Sequence, residues 1–434
     1  MDPNTHAPRQ LGLTSATALV VATMVGTGIF TTSGLLLTDL REPWAVMVVW
    51  VVGAVFAALG ALCYGALSRA IPESGGEYLF VSRTIHASIG SVVGWVTLPA
   101  GFAAPLAASA YAFGAYVAEW LPAWHPQLPG TLLIVVFSAL HATNVRRGAW
   151  TQNAGVIVNL TLIVVFIALA LPRSNLPPAT VESAFLAAPF SVYAVSLTWV
   201  SYSFFGWNSA TYIGGEVINP TRNLSRAMLL GTGVVALLYL GLNQAFMGSA
   251  PAAELAGKVE IGRVAARALG GETAGDIVTV LVVLVLTTSV SSFVMAGPRV
   301  YAKMAEDGYM PAWMKPSVGK PPAVSICVQS ALALVILWTA TFDGLLTYIG
   351  FTLSFANAAT IVGLIVLRRA KGAEVRVPGW PWVPGAFLAI WSVMAVLTFR
   401  DRPVESLVGL ATLALGLVFW RIGKRARTRP VAGC

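Results

Sequence analysis

Residues 24–30 read Met-Val-Gly-Thr-Gly-Ile-Phe and residues 202–209 read Tyr-Ser-Phe-Phe-Gly-Trp-Asn-Ser, each inside a long apolar stretch. Glycine in a helix interior costs about 1 kcal/mol relative to alanine. In hydrocarbon every backbone polar group needs a partner, so a helix can break only against protein or a polar hollow. The two interruptions therefore predict two helices that unwind near their middles. The amino end of a resumed half-helix attracts an anion, and freed carbonyls attract a cation or an ammonium group. A zwitterion carries both charges at fixed separation, so it can be held with no charged side chain. The plainer reading of Gly26 and Gly28 is close helix packing, but that motif spaces small residues by four and these are two apart.

Around these breaks, apolar stretches recur at about 14–37, 44–68, 88–118, 130–143, 150–171, 189–215, 227–249, 277–298, 323–341, 344–367, 382–399 and 404–420. A bilayer span needs about 20 apolar residues, so the expectation is an all-α polytopic membrane protein of about twelve helices. The runs are too long and too uniformly apolar for barrel strands. The breaks lie 178 residues apart (Gly28 to Gly206), in the first and sixth stretches, each opening a block of five. An odd number of spans per block inserts the two blocks with opposite topology, the pattern of an inverted repeat. The expected organisation is an amino-terminal cytoplasmic segment over 1–10, a first repeat over 11–171 and a second over 189–367. Peripheral helices over 382–420 and a basic tail over 421–434 follow.

Composition supports this class. Of 434 residues, 57% are hydrophobic and 10% charged, whereas soluble domains carry about 25% charged residues. So few charges exclude a soluble enzyme, a disordered chain and a nucleic-acid binder. The net charge of +9 is a matter of placement. Of 27 Lys and Arg, 20 fall in one set of alternate segments, which includes both termini, and 7 in the other. The positive-inside rule then places both termini in the cytoplasm, with membrane lipid as the neighbour. The first apolar run, Leu11 to Leu37, is too long for a cleavable signal peptide.

No ionisable residue falls mid-stretch; Glu119, Glu216 and Arg299 lie at ends. This argues against an embedded proton pump, a charged-ring filter and an intramembrane hydrolase. No GxxxxGK[ST] loop is present, so ATP hydrolysis by that route is excluded. Cys63 and Cys327 sit in apolar runs and Cys434 is last, a spacing that suits neither a disulfide framework nor a zinc site. No catalytic residue and no cofactor are expected.

The residues resemble the amino acid–polyamine–organocation superfamily, and within it the L-type amino acid transporter-like branch. Four stretches carry the resemblance, which runs from about Leu11 to Leu367: VGTGIF at 25–30, PESGGEYLF at 72–80, FFGWNSATYIGGEVINPTRNLSRAM at 204–228 and PRVYAKMAEDGYMP at 298–311. It implies a leucine-transporter-type fold with broken helices 1 and 6, and secondary transport of amino acids by alternating access across the plasma (inner) membrane. It implies that the N–H groups of Thr27 and Gly28 hold the substrate carboxylate, with Gly26 allowing close approach. The carbonyls of Val25, Tyr202, Ser203 and Phe205 would take the ammonium group beside Gly206, and Tyr202 would close over the substrate. Asn208 and Phe355 would line the side-chain pocket. Glu216, Asn219 and Arg222 would latch the inner gate through Glu73 or Glu77.

Departures from the family pattern bear on coupling and substrate. Many members carry a lysine six residues past a Gln-Asn pair; here the pair is Gln152-Asn153 and the residue is Asn159. Thr288, Ser291 and Ser292 share one face of the eighth helix at i, i+3 and i+4. With Asn159 they form the candidate coupling site, where sodium is the ion such oxygens would suit. Hydroxyls bonded to their own helix carbonyls are the plainer reading of these residues. The usual Asn-Gly of the eighth helix is Ser291-Ser292, and a tenth-helix aromatic is Ala358. No acidic pocket residue and an alanine-rich third helix (Ala103, Ala104, Ala107, Ala108) favour a small or mid-sized neutral amino acid. The alternatives are a cationic amino acid or polyamine antiporter and a non-transporting sensor on the same fold. No cysteine stands at 38–43 or 121–129 to join a glycoprotein heavy chain, so no such partner is expected. Gly28→Val is expected to abolish binding and leave the chain folded.

Overall fold

The computed structural model describes residues 11–118, 120–143, 145–306, 309–315 and 321–428, with side chains described outside 145–157, 303 and 422–428. Glu119 and Arg9 lie outside the described residues, as do 1–10 and 429–434. The side chains of Gln152 and Asn153, and of the tail beyond Arg421, are likewise not described.

Each of the twelve apolar stretches coincides with helix. The first divides into α1 (Leu13–Met24) and α2 (Thr27–Leu40), with axes bent by 41° at the break. The second is α3 (Pro43–Ala70), followed by the short α4 (Gly76–Thr84). The third comprises α5 (Ala87–Val96) and α6 (Ala104–Val117), joined by one π-helical stretch over Thr97–Ala103. Pro99 lies in that stretch and has no N–H to donate, which favours local rearrangement of the ladder. Next come α7 (Gln127–Thr143), α8 (Val145–Ala170) and the five-residue α9 (Val181–Phe185).

The sixth stretch is α10 (Phe190–Phe204), which ends at the second glycine interruption and continues as a short 3₁₀ turn over Ser209–Ile213. Then follow α11 (Pro220–Met247), α12 (Ala252–Leu255) and α13 (Ile261–Glu306). The last is 46 residues long because two helices join at Gly271, whose φ of 78° is not helical. The remaining helices are α14 (Ala323–Thr339), α15 (Phe342–Lys371), α16 (Trp382–Asp401) and α17 (Pro403–Thr428).

Among the described residues, seven helices are long and apolar enough to cross a membrane, or eight if α1 and α2 count as one span. The outer surface carries exposed Leu237, Val165, Leu169, Val396, Val404 and Leu407. A soluble protein would expose such a surface to water at high cost; hydrocarbon does not penalise it. In the hydrophobic windows of α16 and α17 only 22% of residues are buried, against 72% for 87–117, so the last two helices are peripheral.

Two sets of close helix contacts stand out. In the first, α11 lies against α3 and α1, and α10 against α2 and α3. Trp50 of α3 fastens it, with its ring 5.3 Å from Tyr239 and 5.9 Å from Phe204. In the second, α13 packs on α6 and α8, and α14 on α7. The alanines 103, 104, 107 and 108 are fully buried; their small size lets neighbouring helices approach closely.

Candidate substrate site at the paired helix breaks

Both glycine interruptions are real breaks, and they touch. α1 stops at Met24, Val25 and Gly26 leave helical geometry, and α2 resumes at Thr27 with no side-chain cap. The first N–H groups of a helix have no intrahelical partner, so those of Thr27 and Gly28 point out of the amino end of α2. On the other side α10 ends at Phe204, Phe205 is extended (ψ 139°) and Gly206 has φ +113°. Gly206 has two reasons to be glycine. Its φ disfavours any other residue, and a Cβ there would stand 2.7 Å from the Thr23 carbonyl oxygen. Thr23 Oγ1 in turn donates to the Gly206 carbonyl at 3.1 Å and to Ser209 Oγ at 2.8 Å.

Gly28 faces Ser203 so closely that a Cβ would meet Ser203 Cα at 2.7 Å and Oγ at 2.3 Å. The expectation that Gly28→Val leaves the chain folded is therefore corrected: the added side chain strikes backbone, which cannot move aside as a flexible side chain would. Gly26 is roomier, its nearest neighbour being Ser289 Oγ at 3.3 Å from a built Cβ.

A residue absent from the sequence-based site joins the two breaks. Tyr239 of α11 reaches the Met24 carbonyl at 2.6 Å and the Ser203 carbonyl at 3.0 Å. One phenolic proton thus serves a carbonyl from each broken helix. Thr27 Oγ1 pairs with Ser109 Oγ of α6 at 2.6 Å, and the buried Tyr202 phenol faces Thr27. The Tyr202 carbonyl accepts the Phe205 N–H at 3.0 Å. Since a carbonyl has two lone pairs, Tyr202 and Ser203 each retain one.

Val25, Gly26, Thr27, Gly28, Tyr202, Ser203, Phe205 and Gly206 are thus gathered in one place. The contacts of Asn208 and Phe355 are to other groups. Asn208 Nδ2 donates to Glu77 Oε1 at 2.8 Å. The Phe355 ring packs 5.1 Å from Phe351 and 5.2 Å from Trp391 of α16.

At the candidate coupling site, Asn159 Nδ2 donates to Thr288 Oγ1 at 2.8 Å, so the amide spans from α8 to α13. Asn159 Oδ1 is buried and has no hydrogen-bond partner. Thr288 Oγ1 donates to the Val285 carbonyl and Ser292 Oγ to the Thr288 carbonyl, the own-helix pattern. Ser291 Oγ turns instead to His141 Nε2 of α7 at 2.9 Å.

The inner-gate charges are arranged differently from the sequence expectation. Glu73 pairs with Arg83 at 3.1 Å, both exposed. Among the described residues no ion pair joins Arg222 to Glu73 or Glu77. The segment is held instead by backbone bonds. Leu11 N–H donates to the Glu216 carbonyl at 3.1 Å and Ile218 N–H to the Leu11 carbonyl at 2.9 Å, strapping the amino-terminal segment to the one after α10. Gly215 N–H donates to Ser74 Oγ at 2.8 Å. Glu77 is buried and hydrogen-bonded by Tyr64 (2.7 Å) and Asn208, and Tyr64 also reaches Asn357 Oδ1 of α15 at 2.9 Å. Burial holds the Glu77 carboxyl above the usual carboxylate range, against the lowering effect of those two hydrogen bonds.

A multi-pass helical membrane protein with two broken helices closed on each other is a scaffold for carrying a small solute, with no catalytic constellation among the described residues. A model of the amino acid permease family matches residues 11–419, and the chain belongs to that family, in its L-type amino acid transporter branch. It is 25% identical over 440 residues to the large neutral amino acids transporter small subunit 2 of Rattus norvegicus, covering 97% of this chain and 82% of the relative. It is 24% identical over 439 residues to the Asc-type amino acid transporter 1 of Mus musculus, with the same coverage. The b(0,+)-type amino acid transporter 1 of Homo sapiens is 25% identical over 434 residues, 96% of this chain and 88% of that one.

Proposed function

We propose that this chain is a secondary transporter of small or mid-sized neutral L-amino acids, working by alternating access across the plasma membrane. The observation that carries the proposal is the direct apposition of the two breaks, Gly28 against Ser203 with Tyr239 bonded to both helices. The substrate carboxylate sits on the Thr27 and Gly28 N–H groups at the amino end of α2, where the helix dipole favours negative charge. The ammonium group sits among the carbonyls of Val25, Tyr202, Ser203 and Phe205. The name of one relative, a large neutral amino acids transporter small subunit, favours a neutral substrate.

In this reading twelve spans form two inverted repeats, 11–171 and 189–367, and α1, α2, α3, α10 and α11 rock against the helices around α6 and α13. Both termini face the cytoplasm, as the distribution of Lys and Arg favours. The relative named as a small subunit implies a partner of its own; this chain lacks the linking cysteine of such pairs and works without a heavy chain. Asn159 fills the lysine's place with a neutral amide tied to Thr288, so the site carries no fixed charge of its own and stays open to water or sodium.

Uptake into proteoliposomes tests this reading. Radiolabelled neutral amino acid should enter vesicles preloaded with unlabelled amino acid, with or without sodium and a pH gradient. Binding without flux would make the protein a sensor. Faster uptake of arginine or a polyamine than of alanine or leucine would sink the substrate assignment.

A further inference from the structure

A second polar site stands well apart in sequence from the helix breaks. An open surface depression of about 450 Å³ lies between the end of α3 and the segment after α15, lined by Arg69, Arg368, Ala373, Arg376, Val377 and Pro378. Three of the six lining residues are arginines and none is acidic. Arg69 Nη1 donates to Ser225 Oγ and Nη2 to the Arg376 carbonyl, both at 2.8 Å. Arg368 donates to the Gly372 carbonyl, and its guanidinium lies 5.8 Å from the Trp380 ring centroid. These neutral partners hold the Arg69 and Arg368 heads in place and cancel none of the charge. Among the described residues no ion pair engages any of the three. Glu374, the nearest acid along the chain, is exposed and does not line the depression.

Three like charges facing one hollow repel each other, so the arrangement favours an anion. The planar guanidinium fork donates two parallel bonds to a phosphate, a geometry a chloride cannot use. We propose that this depression binds a phosphate group, held by Arg69, Arg368 and Arg376. The group comes either from the headgroup of an anionic phospholipid or from a soluble phosphate. Arg69 ends α3 and is bonded to α11 through Ser225, whereas Arg376 follows α15. A bound phosphate therefore ties the α3–α11 pair to the chain beyond α15, and occupancy stabilises that junction.

Thermal unfolding of the purified full-length protein in detergent tests the proposal in two arms. One arm titrates short-chain phosphatidylglycerol against phosphate-free diacylglycerol. The other titrates inorganic phosphate against chloride at matched ionic strength. The unfolding temperature should rise in at least one arm, and which arm responds identifies the source. R368Q/R376Q should weaken the apparent affinity at least about tenfold, since each lost charge-assisted bond is worth about that much. R400Q, a charge outside the depression, should leave it unchanged. If the double variant does not fold, R376Q alone decides, because Arg376 is exposed. No rise in either arm overturns the proposal, and so does a rise that persists undiminished in the arginine variant.

Discussion

Gly26 is the residue where binding and folding come apart most cleanly. A methyl group at Gly28 or Gly206 collides with the backbone of the other broken helix, at Ser203 and Thr23 respectively, so substitutions there disturb the fold itself. At Gly26 a methyl meets only Ser289 Oγ. Gly26→Ala should elute and unfold like the parent yet lose at least about tenfold in uptake, because roughly one hydrogen bond's worth of carboxylate contact is displaced; parent-like uptake would remove Gly26 from the site. Tyr239→Phe withdraws one proton from two carbonyls of different broken helices. Its expected cost in unfolding experiments is about 1–3 kcal/mol, and a loss below a few tenths would mean that the bridge is not used. Gly26, Gly28 and Gly206 were legible in the sequence because each weakens the helix of an apolar run and adds no side chain to its packing. Tyr239 was not, since it sits in an ordinary helix and its partners lie 215 and 36 residues away.

At the level of elements, α4 shows how a short helix between two long ones is packed. PESGGEYLF marked its position by resemblance, which also made Glu77 a candidate partner for the latch residues Glu216, Asn219 and Arg222. The structure buries Glu77 between α3, the turn after α10 and α15, with neutral donors only. Burial depends on how helices distant in sequence close over a residue, which local pattern does not encode. The same limit applies to Asn208, which resemblance placed in the substrate pocket and the fold turns to Glu77. Because the Glu77 pKa is raised, the folded state binds the proton more tightly than the unfolded chain. Its contribution is fully present below the ordinary carboxylate range and is lost as pH rises through the raised value. Unfolding temperature should therefore fall across that window in the parent, and E77Q should flatten the slope. An unchanged slope in E77Q would assign the titration to another group. On the opposite side, Arg402 joins Asp343 at 3.0 Å and Asp39 at 4.0 Å, with about a third of each side chain exposed. R402Q should cost no more than about 1 kcal/mol in unfolding experiments, as expected for partly solvated pairs.

Across the whole molecule, the breaks need a low-dielectric frame to matter. Unpartnered N–H and C=O groups grip charge weakly in water and strongly where water is excluded. The exposed apolar rim, the buried alanines of α6 and the packing of α11 on α1 and α3 supply that frame. Its helical class was readable from composition and run length because bilayer thickness sets both. The π-helical link at Thr97–Ala103 was not, although Pro99 within it lacks the N–H that a regular ladder needs. On the proposed function, main-chain groups of two broken helices hold both ends of a zwitterion. Competition against uptake of a radiolabelled neutral amino acid tests it most directly, using the same compound as its amide, which lacks the carboxylate, and as its deaminated acid, which lacks the ammonium group. The parent amino acid should compete and both derivatives should be at least about a hundredfold weaker, each having lost one charge-assisted anchor. Equal competition by either derivative would contradict the account.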